Sequence, residues 1–205
     1  MTIWEELAAL GSATVYEAAG REGLVDATFH QVVAGSRVAG PARTVRCGQD
    51  DNLMVHAVMA SIEPGDVAVL TMPEPRPVAL VGELLATQAI GRKAAALLID
   101  ASVRDVEELQ ELGLPIWARW VRIRGATKTE PGTIGEPVEV GGCTIADGDA
   151  VVLDADGVAV VPLARIDEVL LASRVRAEKE RVKRAKLEAG ELSYDLDGLR
   201  AIVER

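Results

Sequence analysis

The chain has 205 residues, of which 49% are hydrophobic and 26% charged, and its formal net charge is −10. This profile is typical of one folded domain, and the negative charge opposes binding to nucleic-acid phosphates. The two cysteines, Cys47 and Cys143, belong to no CxxC or Cys/His cluster, so neither a zinc site nor a disulfide framework is indicated.

The amino-terminal segment lacks the features of a targeting or membrane segment. It carries Glu5 and Glu6 where a secretory signal has positive charge. No apolar run approaches the roughly 18 residues that a membrane span needs. We therefore expect a cytoplasmic protein that is not bound to a membrane.

The first third of the chain predicts short elements separated by Gly, Pro and Asp. Ser12 can cap a second helix, Gly40-Pro41 interrupts a strand-like stretch, and Pro64-Gly65-Asp66 ends a helix. Hydrophobic periodicity then predicts helices at 2–10 and 12–20, strands at 36–39 and 43–47, a helix at 53–62 and a strand at 67–72.

The remainder of the chain predicts alternating strands and helices, followed by short strands and a long helix. The elements are a helix at 81–91, a buried strand at 94–100, a turn at 101–105, a helix at 106–113, a strand at 115–121, several short strands within 136–162, and a charged helix at 165–189. The pattern predicts a single α/β domain over residues 1–205.

Arg104 and Asp105 follow the buried strand directly, where open α/β sheets place their ligands. An arginine grips a carboxylate with two hydrogen bonds, and an aspartate supplies hard oxygen suited to Mg²⁺ or Mn²⁺. The preceding helix start, from Gly82 through Leu84 to Leu85, presents backbone N–H groups that favour an anion. Together these features predict a site for a 2-oxo acid.

The same residues also have a structural interpretation. Ser102 and Asp105 have the spacing of a helix-start capping pair, and Glu83 is an acid in the first turn of a helix. Spacing alone does not decide between the two interpretations.

Several segments resemble the RraA-like family, which includes the class II 4-hydroxy-4-methyl-2-oxoglutarate / 4-carboxy-4-hydroxy-2-oxoadipate aldolases. They include DDNLMVHAV, EPGDVAVL, GELLATQA, IDASVRD and VGGCTIADGDAVVLDADGVAVVP, and the resemblance covers about residues 11 to 200. Its most specific element is an acid followed by 20 residues and then Arg-Asp. Here Glu83 precedes Arg104-Asp105 at that spacing.

The resemblance implies a role for each residue of this motif. Asp105 would hold Mg²⁺ or Mn²⁺ directly, Arg104 would contact the substrate and stabilise the developing enolate, and the backbone of Leu84 and Leu85 would bind the 2-oxo acid carboxylate. Glu83 would reach the metal through water and help to place the water that transfers protons, although many aldolases of the family have Asp at this position.

For the fold, the resemblance implies a β/β/α swivelling domain with flanking N-terminal helices and a long C-terminal helix. It also implies a homotrimer or hexamer, in which the helical extension 165–205 packs on a neighbouring subunit and supplies a further acid through water. Glu180 is the best match for that acid, and Glu178 is the close competitor.

The predicted function is a metal-dependent lyase that cleaves small 2-oxo acids through a pyruvate enolate, by retro-aldol cleavage and by oxaloacetate decarboxylation. A lyase acting on a different 2-oxo acid is also open, because residues 73–80 are unusual for the aldolases. The alternative is a non-catalytic regulator that binds a ribonuclease or another protein. A Schiff-base aldolase needs a lysine with a depressed pKa, and the sequence indicates no such lysine. A metal-dependent mechanism is therefore favoured.

Other polar residues receive structural or solvent roles. His56 is interpreted as a structural histidine and Lys128 as a solvated loop residue. The paired acids Asp50-Asp51 and Asp147 with Asp149 lie in turns, where carboxylates usually bind nearby backbone, so no metal is assigned to them.

Overall fold

The computed structural model describes residues 1–204, and its largest feature is a curled mixed sheet. The strands are β1 (His30–Gln31), β2 (Val38–Arg46), β3 (Val67–Thr71), β4 (Ala79–Val81), β5 (Ala96–Val103), β6 (Ile116–Val121), β7 (Thr133–Ile134), β8 (Val138–Val140), β9 (Cys143–Ile145), β10 (Ala150–Leu153) and β11 (Val158–Val161). The helices are α1 (Ile3–Leu10), α2 (Ser12–Ala18), α3 (Leu53–Val58), α4 (Glu83–Gly91), α5 (Val106–Leu112), α6 (Ile166–Glu188), α7 (Ser193–Leu196) and α8 (Arg200–Val203).

Parallel pairing organises the centre of the sheet. Over the described residues the strand order is β1-β6-β5-β3-β2-β10-β11, with β4 beside β5, β7 beside β2, and β8–β9 as a separate pair. Strands β2, β3, β5 and β6 pair in parallel, and β4 joins β5 in the same direction. The carboxyl ends of these strands therefore meet at one edge of the sheet.

Both faces of the central strands are covered, so β3 and β5 are buried at every position. Apolar residues of α3, α4 and α5 pack on one face against Leu97 and Ile99. The opposite face packs Leu98 and Trp117 against β8, β9 and β10. The helices α1, α2 and α6 form a third cluster on β10 and β11. No helix in the described part of the chain is long and apolar enough to cross a membrane.

The predicted mixed α/β architecture is confirmed, with two helices at the amino terminus and one long helix near the carboxyl terminus. The predicted break at Gly40-Pro41 is wrong, because β2 runs without interruption through both residues. The N–H of the next residue, Ala42, donates to Asp149 O at 2.8 Å, so pairing with the neighbouring segment continues past the proline. Gly40 is required there, since a Cβ would lie 2.3 Å from Gly65 O.

The predicted turn at 101–105 begins too early. Strand β5 continues to Val103, because β4, which the sequence analysis missed, pairs with it on one side and β6 on the other. Ser102 is fully buried inside this strand, so its interpretation as a helix cap is wrong. Ser12 also differs from expectation: it donates to Asp154 Oδ1 at 2.6 Å and does not cap α2.

The packing on the two sides of Leu98 predicts a large stability loss on truncation. Leu98→Ala is expected to lower the free energy of unfolding by about 2–5 kcal/mol, since the side chain is fully buried and its removal leaves a cavity. Leu163→Ala makes the same change at a side chain that is 61% exposed and should cost less than about 1 kcal/mol. Urea denaturation at a fixed protein concentration measures both, and equal losses would contradict this account of the core.

Candidate active site

A cavity of about 420 Å³ lies at the sheet edge where β4 and β5 end. Its wall includes the whole predicted motif: the α4 start with Gly82, Glu83, Leu84 and Leu85, together with Arg104 and Asp105. The remaining wall comes from α3, α5, β4 and the segment 125–128. The structure therefore brings together residues that are some 20 positions apart in the chain.

Asp105 connects the end of β5 to the start of α4. It is the residue before α5 and has left-handed backbone angles, with φ 61° and ψ 47°. Its Oδ2 accepts the N–H of Glu83 at 3.1 Å and lies 3.6 Å from Nε of Arg104. Its Oδ1 has no hydrogen-bond partner among residues 1–204, which leaves one carboxylate oxygen free for a ligand.

Gly82 leaves the space that the Arg-Asp pair occupies. A Cβ at this position would lie 2.4 Å from Asp105 Oδ2 and 3.2 Å from Nε of Arg104. The glycine is therefore needed for close approach rather than for an unusual backbone angle, since its φ is −135°. Any side chain at residue 82 would push the acid and the arginine out of their places.

The start of α4 has two backbone donors available to an anion. The N–H of Glu83 is taken by Asp105, and the first helical bond runs from Ala86 N to Gly82 O at 3.2 Å. The N–H groups of Leu84 and Leu85 lie between these two and have no helical acceptor. They are the two groups that the sequence analysis assigned to a substrate carboxylate.

The acids around the cavity fit a water-rich Mg²⁺ site better than a closed metal cage. Glu83 and Glu108 line the cavity with Asp105. Within residues 1–204, no three His, Cys, Asp or Glu side chains form a ready-made metal cluster. Mg²⁺ is commonly held by one or two carboxylates and keeps several waters, so one free oxygen on Asp105 is a chemically suitable donor.

Three titratable residues of the cavity wall were not predicted as part of the site: His56, Glu108 and Lys128. Burial lowers the pKa of His56, and the nearby charge of Lys128 lowers it further, so the imidazole is neutral at pH 7. No sequence spacing pointed to these residues, because α3, α5 and the loop at 125–128 meet only through the folded sheet edge. Lys128 is an exposed loop residue, as interpreted from the sequence, and it also lines the cavity.

The predicted acids of the long helix lie elsewhere in this chain. Glu180 pairs with Arg176 at 2.9 Å, and Glu178 pairs with Arg181 at 2.7 Å. Neither lines the cavity. Their contribution from a neighbouring subunit stays a prediction.

Comparisons with known proteins agree with this fold. A protein of Halalkalibacterium halodurans, provisionally named a 4-hydroxy-4-methyl-2-oxoglutarate aldolase, is 33% identical over 179 residues, covering 87% of this chain and 82% of that protein. The crystal structure of Streptomyces coelicolor RraAS2, described as an unusual member of the RNase ES inhibitor RraA protein family, is 28% identical with a TM-score of 0.79. That match covers 89% of this chain and 95% of RraAS2.

An uncharacterised protein from Pseudomonas syringae pv. tomato supports the fold alone. It is 23% identical with a TM-score of 0.84, and the match covers 93% of this chain and 90% of that one. The family model described as "RraA-like: Aldolase/RraA" matches residues 12–160. This chain therefore belongs to the RraA-like family.

Proposed function

We propose that this protein is a divalent-metal-dependent lyase that cleaves small 2-oxo acids through a pyruvate enolate. The observation that carries the proposal is the convergence of Arg104, Asp105 and the start of α4 on one cavity. The resemblance of the chain to a relative provisionally named an aldolase supports the same class of reaction. The substrates are 4-hydroxy-2-oxo diacids, cleaved by retro-aldol reaction, and oxaloacetate, cleaved by decarboxylation.

The protein binds the reacting end of the substrate through two kinds of donor. The N–H groups of Leu84 and Leu85 donate hydrogen bonds to the 2-oxo acid carboxylate, since the positive end of a helix favours an anion. The Arg104 guanidinium contacts the 2-oxo oxygen, where negative charge develops as the C3–C4 bond breaks. Arg104 is thus proposed to stabilise the transition state, and not only to bind the substrate.

Asp105 is the residue that holds Mg²⁺ or Mn²⁺, through the oxygen that Glu83 N–H does not occupy. When bound, the metal supplies electrophilic stabilisation of the enolate. Glu83 holds a water that takes the proton of the C4 hydroxyl during aldol cleavage and returns a proton to C3 of the enolate. Oxaloacetate needs only the second transfer, because its C4 leaves as carbon dioxide.

Lys128 is assigned to the far end of a diacid substrate. Its side chain lines the same cavity as Arg104 and has no carboxylate partner among the described residues. A second carboxylate on the substrate is an anion of suitable charge for this ammonium group. Neutral His56 lies beside it and adds no competing charge.

The active form is proposed to be a homotrimer or a hexamer in which α6 of one subunit reaches the cavity of another. This helix exposes Val175, Val182 and Leu187 between charged residues, which suits packing on a neighbour. Glu180 of that helix then supplies the further acid through water.

The direct test is pyruvate release from oxaloacetate and from 4-hydroxy-4-methyl-2-oxoglutarate, with Mg²⁺ and with EDTA. EDTA, Arg104→Ala and Asp105→Ala are each expected to lower kcat/KM by at least about 100-fold, since each removes stabilisation of the developing charge. Circular dichroism and the oligomeric state check that the variants are folded. Wild-type protein that releases no pyruvate above the spontaneous rate from either substrate would contradict the proposal.

Glu83 is expected to matter less than Asp105, because it acts through water. Glu83→Ala should lower kcat/KM by about 10-fold to 100-fold, and more for aldol cleavage than for decarboxylation. Mg²⁺ titration of the two variants separates the roles: Asp105→Ala loses metal affinity, whereas Glu83→Ala retains most of it. The reverse order of effects would exchange the two assignments.

Mixing inactive variants tests whether Glu180 acts in another subunit. Arg104→Ala and Glu180→Ala, unfolded together and refolded as hybrids, should regain activity at about a quarter of the sites, because those sites receive both intact residues from different chains. Glu178→Ala with Arg104→Ala is the matched control: Glu178→Ala should be active by itself, so forming hybrids should add no activity to that of the separate proteins. If verified hybrids of Arg104→Ala and Glu180→Ala recover no activity, Glu180 does not act in the site of another subunit.

The similarity to RraAS2 favours a second candidate function, a non-catalytic regulator that binds a ribonuclease. The presence of Glu83, Arg104 and Asp105 in one cavity favours the enzyme instead. Inhibition of a ribonuclease by wild-type protein that has no lyase activity would support the regulator.

A further inference from the structure

The carboxylate of Asp51 joins two parts of the cavity wall that are far apart in the sequence. Asp51 is fully buried. Its Oδ1 accepts the N–H of Leu53, in the first turn of α3, at 2.8 Å. Its Oδ2 accepts four bonds from the distant segment 127–130: Thr127 Oγ1 at 2.7 Å, Thr129 N at 2.6 Å, Glu130 N at 3.1 Å and Thr129 Oγ1 at 3.4 Å.

These bonds require an ionised carboxylate. Burial by itself raises the pKa of Asp51, but the hydrogen bonds from Thr129, Leu53, Thr127 and Glu130 together outweigh burial and hold its pKa well below the usual range. The side chain is therefore an acceptor on both oxygens at neutral pH. An amide at this position offers one acceptor and one donor, so it cannot satisfy both sets of partners.

The backbone around Asp51 strengthens the same connection. Asn52 N donates to Thr127 O, and Thr127 N donates to Asp50 O, both at 2.9 Å. The amide of Asn52 donates to Leu80 O at 2.9 Å, which ties this corner to the end of β4. Hydrogen bonds at this corner therefore connect α3, the segment 127–130 and β4, which all contribute to the cavity wall.

Lys128 lies between Thr127 and Thr129, which both donate hydrogen bonds to Asp51. Its own side chain makes no ion pair within residues 1–204 and is free to face the cavity. A lysine has several rotatable bonds, so the position of its ammonium group depends on how firmly its backbone is held. The buried carboxylate supplies that restraint.

We propose that Asp51 is a positioning residue for the substrate's second carboxylate: it holds the 127–130 segment so that Lys128 reaches the far end of a diacid. The inference rests on the proposed function, which places Lys128 at that carboxylate. It assigns selectivity for diacids over monoacids to a buried acid that does not itself touch the substrate.

Asp51→Asn tests the inference through the separation of KM from kcat. KM for 4-hydroxy-4-methyl-2-oxoglutarate should rise at least about tenfold with a smaller change in kcat, because binding of the far carboxylate is lost in ground and transition state alike. KM for a 4-hydroxy-2-oxo monoacid should stay within about twofold of wild type. Thr127→Val removes a single bond to Asp51 and serves as the milder variant if Asp51→Asn does not fold.

Asp154→Asn is the matched control for a structural effect. Asp154 is also buried and accepts three hydrogen bonds, from Ser12 N, Ser12 Oγ and Asp156 N, but it does not line the cavity. This variant should lose stability without a change in KM for either substrate. If Asp51→Asn behaves in the same way, Asp51 is only structural and the inference is overturned.

A double variant tests whether Asp51 acts through Lys128. In a Lys128→Met background, Asp51→Asn should raise KM for the diacid no further, since the residue it positions is gone. Additive increases would overturn the inference. Calorimetric binding of 2-oxoglutarate, compared with 2-oxobutanoate, repeats these comparisons without turnover.

The two proposals fail in different ways. Wild-type protein that neither cleaves nor binds 2-oxo diacids contradicts the proposed function, and this inference falls with it. Wild-type protein that cleaves them, with an unchanged diacid preference in Asp51→Asn, contradicts this inference alone.

Discussion

The geometry of the cavity depends on one carboxylate, that of Asp105, held between the end of β5 and the start of α4. Its positive φ of 61° costs on the order of 1 kcal/mol for a residue with a side chain. The bond from Glu83 N–H offsets that cost and orients the acid. Without a glycine at residue 82 the carboxylate would have no room, so the backbone strain, the hydrogen bond and the glycine form a single arrangement.

The charges of the cavity contrast with those of the whole chain. The protein has a net charge of −10, yet Arg104 and Lys128 both line the cavity beside three acids. Such a mixture suits a ligand that is itself mixed, an anionic substrate together with a divalent cation. In the proposed function, the acids serve the metal, Arg104 serves the 2-oxo oxygen and Lys128 serves the second carboxylate of the substrate.

The same fold supports two kinds of function in this family, as the names of its relatives indicate. Folds do not determine function, because chemistry resides in the side chains placed on them. The features of this chain that bear on its function are therefore local: an acid at residue 83, Arg104-Asp105, and a buried Asp51 that binds the loop carrying Lys128. The helices and strands around them position these residues and carry no information about the reaction by themselves.

Local patterns in the sequence determined most elements, including α1, α4, α5, α6 and the buried strand before Arg104. The motif was identified through the resemblance to the family, because the spacing of Glu83 and Arg104-Asp105 by itself fits two helix starts equally well. Tertiary structure alone decided the length of β5, since its last residues are extended only through pairing with β4 and β6. Tertiary structure also decided that His56, Glu108 and Lys128 line the cavity. Periodicity reports which face of an element is buried, whereas contacts between residues 51 and 127 arise only when parallel strands bring their carboxyl ends to one edge.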